Sequence, residues 1–170
     1  MLTKQATSTI RGILSIHSRY NIRTSTALTH KQPNQITRSF NTESEYHDAA
    51  DHTLHTIQDT LDFYFEDNPT LASPDIDFSA GVLTIALPQG TWVLNKQTPN
   101  QQIWWSSPIT GPRRYEYLHN GTWIWSRYVD FQSAGKSEEW DDTKHLGEAL
   151  KKEMVDLFHI HDGLEDLDDL

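Results

Sequence analysis

Asn68-Pro69 divides the chain into two regimes of hydrophobic spacing, and that change of rhythm restricts the fold more than any other feature. Upstream, within residues 45–67, Tyr46, Ala50, Leu54, Ile57, Leu61 and Tyr64 recur at the i, i+3, i+4, i+7 spacing of a helix lying on a core. Pro lacks an amide hydrogen and restricts the residue before it, so the helix ends there. Downstream, short runs rich in Val, Ile, Thr and Trp alternate with Gly, Pro and Asn, which predicts an antiparallel meander. Six strands are expected, at residues 75–78, 82–87, 91–96, 101–106, 113–117 and 122–126, with links short enough to favour pairing of neighbours. Residues 127–143 are polar and acidic and are expected to form a surface loop. A second helix over 144–159 carries the stripe Leu146, Leu150, Met154, Leu157 and Phe158. This order predicts a two-layer α+β sandwich, two helices packed on one face of an antiparallel sheet of five to seven strands. The tail 164–170 either lays its Leu residues across the gap between the helices or frays.

At 170 residues the chain fits one ordinary domain plus an appendage, and charge shows where they divide. Residues 1–42 hold six basic side chains (Lys4, Arg11, Arg19, Arg23, Lys31, Arg38), no acid and many Ser and Thr. That composition, with Ile10, Ile13, Leu14 and Ile16 on one side of a short helical pattern, predicts a mitochondrial import leader over residues 1–40, disordered and cleaved near Arg38-Ser39-Phe40. The domain proper is then 41–170, with 8 basic against 24 acidic residues, a net charge of 8 − 24 = −16. Such a field disfavours nucleic acid and attracts cations or a basic protein surface. The longest apolar run, Gly81 to Leu87, falls far short of a bilayer span. There is no Cys, so any metal must be met by oxygen or imidazole, which favours hard cations and iron.

From Asn41 to Asn95 there is no Lys or Arg. On the helical wheel Asp48, Asp51, His52, His55, Asp59, Asp62 and Glu66 lie within about 60° of a common direction, opposite the apolar stripe. Charged faces are ordinary on surface helices, but these acids have no interleaved cation to relieve their repulsion. Carboxylates three and four residues apart share a hard cation, as Asp48 with Asp51, Asp59 with Asp62 and Asp62 with Glu66. The sites are flat and solvated, so weak and readily exchanged Fe2+ is expected, with His52 and His55 adding imidazole.

Alternation over residues 102–106 sends Gln102, Trp104 and Ser106 to one face of the sheet and Ile103 and Trp105 to the other. If the second set is core, Trp104 faces solvent amid Asn95, Lys96, Gln97, Gln102 and Arg114, the makeup of a protein-binding hot spot. Trp92, Trp123 and Trp125 are assigned to the core or to a structural role. No paired Glu-x-x-His motif, Gly-rich phosphate loop or serine triad stands out, so no catalytic residue is assigned.

The runs Gly90-Thr91-Trp92-Val93-Leu94-Asn95-Lys96-Gln97-Thr98-Pro99-Asn100-Gln101-Gln102-Ile103-Trp104 and Ser106-Ser107-Pro108-Ile109-Thr110-Gly111-Pro112-Arg113-Arg114-Tyr115, with Asp75-Ile76-Asp77-Phe78 and Gly81-Val82-Leu83-Thr84, resemble the frataxin signature. The resemblance extends over roughly residues 45–160 and implies the frataxin-like fold. It also implies an iron-binding protein of the mitochondrial matrix that promotes iron-sulfur cluster assembly by docking on a complex of cysteine desulfurase and scaffold protein. Asn95 and Trp104 would be central to that contact, with Arg114 reaching the complex. Family members are also credited with ferroxidase activity, iron storage as Fe3+ in iron-driven oligomers, and a part in heme synthesis through ferrochelatase. Histidine at 52 and 55 departs from the family, which usually carries acids there. Three readings follow: a monomeric Fe2+-carrying activator, which is preferred, a ferroxidase, and an acidic interaction domain that meets a basic protein surface.

Overall fold

The computed structural model describes residues 40–134, 143–160 and 162–170. Apart from Phe40, the leader predicted over residues 1–40 lies outside the described residues, as do Glu138, Glu139, Asp141 and Asp142 of the predicted loop.

Helix α1 runs Glu43–Asp67. Thr42 caps it by accepting the Glu45 N–H at 3.1 Å, an orphan donor of the first turn, and the Glu45 carboxylate accepts the N–H of Asn41, the residue before the cap, at 3.0 Å in return. Asn68 closes the helix, its backbone N–H and side-chain amide both donating to the Tyr64 carbonyl before Pro69. The buried stripe is the predicted one with a change at its end: Phe65 is buried and Tyr64 only half-buried.

Strands β1 (Asp75–Ser79), β2 (Val82–Leu87), β3 (Gly90–Gln97), β4 (Gln102–Ser107), β5 (Gly111–Tyr117) and β6 (Trp123–Trp125) form one antiparallel sheet in sequence order. Ala80 and Gly81 both take positive φ, 50° and 80°, and make the two-residue turn of the β1–β2 hairpin, the mirror-image geometry that matches strand twist. Helix α2 (Ser126–Ser133) follows β6, and α3 (Leu146–Phe158) completes the main elements. α2 occupies part of the stretch expected to be loop. Its Tyr128 is buried and its ring lies 6.0 Å from that of Trp125, so contact with the sheet, not a long apolar period of its own, supports this short helix.

The core lies between one sheet face and the helices α1 and α3, with Leu83, Ile85, Trp92, Leu94, Ile103, Trp105, Tyr115 and Trp123 all buried in it. Bonds from α1 to the sheet help fix this packing: the Tyr46 hydroxyl donates to the Gln102 carbonyl at 2.8 Å, and Trp123 Nε1 donates to Thr53 Oγ1 at 2.9 Å. Burial pushes the Tyr46 pKa up to about 12. Helix α3 is tied by Glu153, only 5% exposed, whose carboxylate accepts Trp92 Nε1 at 2.5 Å, Ser107 Oγ at 2.6 Å and Thr110 Oγ1 at 2.5 Å.

The tail does not fray. Leu164, Leu167 and Leu170 are buried across the gap between α1 and α3. The approach is so close that a Cβ on Gly147 would stand 1.8 Å from the Leu167 carbonyl oxygen, so this helical position admits only glycine. The folded domain also takes in Phe40, one residue beyond the predicted boundary, with its ring buried against Tyr46, Tyr117 and Trp123.

Candidate functional site

Two surfaces carry the predicted residues. The first is the outer flank of α1, where Asp48, His52, His55, Asp59, Asp62 and Glu66 are all exposed. Asp51 differs: it is half-buried and forms an ion pair with Lys96 of β3. The ridge is therefore relieved at one point by a cation from the sheet, a partner that spacing along the helix could not reveal. The His55 and Phe78 rings meet in a T-shaped pair, 4.7 Å between centroids and 85° between planes, so this imidazole also has an apolar neighbour on β1. Partial desolvation raises the Asp62 carboxyl pKa above its ordinary value, and the charges of Asp59 and Glu66 push the same way against a hydrogen bond from Gln58.

Two further residues of this flank were not singled out from sequence. His47 Nε2 lies 3.4 Å from Glu43 Oε1, one helical turn apart. Phe63 is 66% exposed, one turn from both Asp59 and Asp67, and gives the anionic flank an apolar foothold. Among the described residues no group of three or more His, Asp or Glu converges to enclose a metal ion. A cation held by one or two carboxylates of such a flank keeps most of its water shell and exchanges readily.

The second surface is the sheet face turned away from the helices. Strand register aligns Asn95, Trp104 and Arg114 as direct cross-strand neighbours on β3, β4 and β5, with Gln97 and Gln102 paired beside them. Trp104 is 39% exposed while its chain neighbours Ile103 and Trp105 are buried, as alternation predicts. Its indole is held in place, because Trp104 Nε1 donates to Gln102 Oε1 at 3.1 Å and Gln102 Nε2 donates to Glu116 Oε1 at 3.3 Å. Lys96 does not join this face. It pairs with Ile103 in register, so the two-residue period turns it toward α1 and Asp51, and the predicted patch loses its only lysine.

Beside Trp104 lies a cleft of about 340 Å³ lined by Trp104, Trp105, Pro112, Arg113, Arg114 and Trp125. The Arg113 guanidinium lies 4.5 Å from the centre of the Trp125 ring and donates to the Thr143 carbonyl at 3.0 Å, which braces it, whereas Arg114 is exposed. An exposed, oriented indole flanked by an amide and a guanidinium can bury aromatic area and donate hydrogen bonds to a partner with little ordering of its own.

Comparison with known proteins agrees with this architecture. A frataxin-like domain is matched over residues 39–159. Mitochondrial frataxin of Caenorhabditis elegans is 39% identical over 99 residues, which cover 55% of this chain and 73% of that protein. The mitochondrial frataxin homologue of Saccharomyces cerevisiae is 44% identical over 81 residues, 47% of this chain and 45% of the relative, so the match spans about half of the yeast protein's length. The crystal structure of trimeric yeast frataxin complexed with ferrous iron superposes with a TM-score of 0.51 at 31% identity, covering 72% of this chain and 91% of that one. On the strength of a domain match that takes in α1, the whole sheet and α3, the chain belongs to the frataxin-like family.

Proposed function

We propose that this protein is a mitochondrial iron-binding activator of iron-sulfur cluster assembly, which docks on the cysteine desulfurase and scaffold complex through the Trp104 face and brings or gates Fe2+ loosely held on the α1 flank. The observation that carries this reading is the Asn95, Trp104, Arg114 row, with an indole 39% exposed yet oriented by Gln102 on a sheet face that no described helix covers. Trp is enriched among interface hot spots, whose truncation costs about 2 kcal/mol or more of binding. Iron binding is supported by the ferrous complex of the yeast relative and by the exposed acids Asp48, Asp59, Asp62 and Glu66 on one flank of α1. Iron is cargo here, and open carboxylates suit delivery because each ion is released without dismantling a closed cage.

Stimulation of sulfide production by the desulfurase complex tests the reading. Trp104→Ala is expected to keep the fold and lose at least about 30-fold in affinity for the complex, the equivalent of that 2 kcal/mol. Asp59→Asn/Asp62→Asn is expected to keep docking while weakening Fe2+ binding in a calorimetric titration. Full stimulation by Trp104→Ala at wild-type concentrations would refute the surface, and unchanged iron uptake by the double variant would refute the flank.

A further inference from the structure

Phe40 stands where the basic, acid-free leader meets the folded domain, and two separate features of the domain hold it. Its ring is 7% exposed, stacks on Tyr117 at 5.0 Å between centroids and meets Tyr46 edge-on at 5.7 Å, with Trp123 at 6.4 Å. Its backbone is gripped by Gln101, whose Oε1 accepts the Phe40 N–H at 3.1 Å and whose Nε2 makes a longer approach to the Phe40 carbonyl at 3.5 Å. Gln101 adopts φ 53° at the end of the 3-10 turn Thr98–Asn100, a left-handed conformation unfavourable for a side chain other than glycine. The residue in that conformation is the one whose amide meets the entering chain.

We propose that maturation retains Phe40, so that the scissile bond is Ser39–Phe40 or one nearer the N-terminus, and not the bond after Phe40. This rests on reading the basic N-terminal segment as an import leader, and it moves the leader's end from residue 40 to residue 39 or earlier. Hydrolysis of the Ser39–Phe40 amide consumes one water and leaves a carboxylate on Ser39 and an ammonium on Phe40. Arg38 then stands two residues before the cut, within the few positions expected of a guiding Arg. The new ammonium keeps a proton for Gln101 Oε1, now in a charge-assisted hydrogen bond. A cut one residue later removes the ring and both backbone contacts, and uncovers Tyr46, Tyr117 and Trp123.

Import of the full-length precursor into isolated mitochondria, followed by intact mass measurement and N-terminal sequencing of the protected product, decides between the bonds. The expected product begins at Phe40 or upstream. A product beginning at Asn41 or later overturns the proposal and leaves the leader reading standing, whereas a precursor that enters and stays uncut overturns both. In the full-length chain Phe40→Ala is expected to lower the Tm by about 10 °C, with part of the loss recovered in Phe40→Leu. An unchanged Tm in Phe40→Ala overturns the packing contribution from which retention is argued, while the first residue of the imported product decides the cut itself.

Discussion

A carboxyl group whose pKa is raised in the folded state binds its proton more tightly there than in the unfolded chain, and Asp62 is such a group. Its unfavourable contribution is absent below the ordinary Asp value, develops as pH rises through the window up to the raised folded value, and is complete above it. Asp62→Asn is therefore expected to flatten the fall in stability across that window in urea titrations at a series of pH values. Above the window it should add about 0.3–0.5 kcal/mol by relieving like charges one turn apart. Glu153 is the opposite case, an acid inside the core that satisfies Trp92, Ser107 and Thr110 together. Glu153→Leu leaves three donors without an acceptor, and a loss of about 3 kcal/mol or more is expected in the same titrations. Sequence contains a trace of this residue, since Glu153 follows Leu150 at i+3 on the apolar stripe of α3, but nothing in it names the indole and hydroxyls that meet the carboxylate.

At the scale of the element, β4 separates two jobs by the two-residue period. Trp105 is 2% exposed in the core and Trp104 looks outward, although the two share one chemistry and adjacent positions. Trp105→Ala is expected to cost about 3–5 kcal/mol in chemical denaturation, and Trp104→Ala less than about 1 kcal/mol. A large loss in the second variant would mean that Trp104 braces the sheet instead of serving a partner. The same period explains Lys96. Counted as a neighbour of Asn95 and Gln97 in the chain it joined their face, yet strand geometry sends it to the other side, where Asp51 receives it. Helix α2 went unrecognised for a related reason, because eight residues are too few to display a helical period.

Across the whole molecule the C-terminal tail acts as a lid on the core. Leu164, Leu167 and Leu170 fill the groove between α1 and α3, and Gly147 is the notch that lets the backbone of Leu167 approach. Leu167→Ala is expected to lower stability by about 2–5 kcal/mol, a large part of what a domain of this size has to spare, and to appear as a lower Tm with cooperativity retained. The period of α1, the turn residues between strands, the outward indole of Trp104 and the acid-rich face were all readable in the chain, because each depends on spacing over a few residues and on one buried side. Pairings between distant segments were not. Asp51 with Lys96, Gln101 with Phe40, Glu153 with Trp92 and the tail with Gly147 each join residues that only chain reversal brings together. Local periodicity determined which face of each element is apolar, and the packing of α1, the sheet and α3 determined which polar groups meet across those faces, since hydrogen bonds and ion pairs need contact that sequence distance does not report.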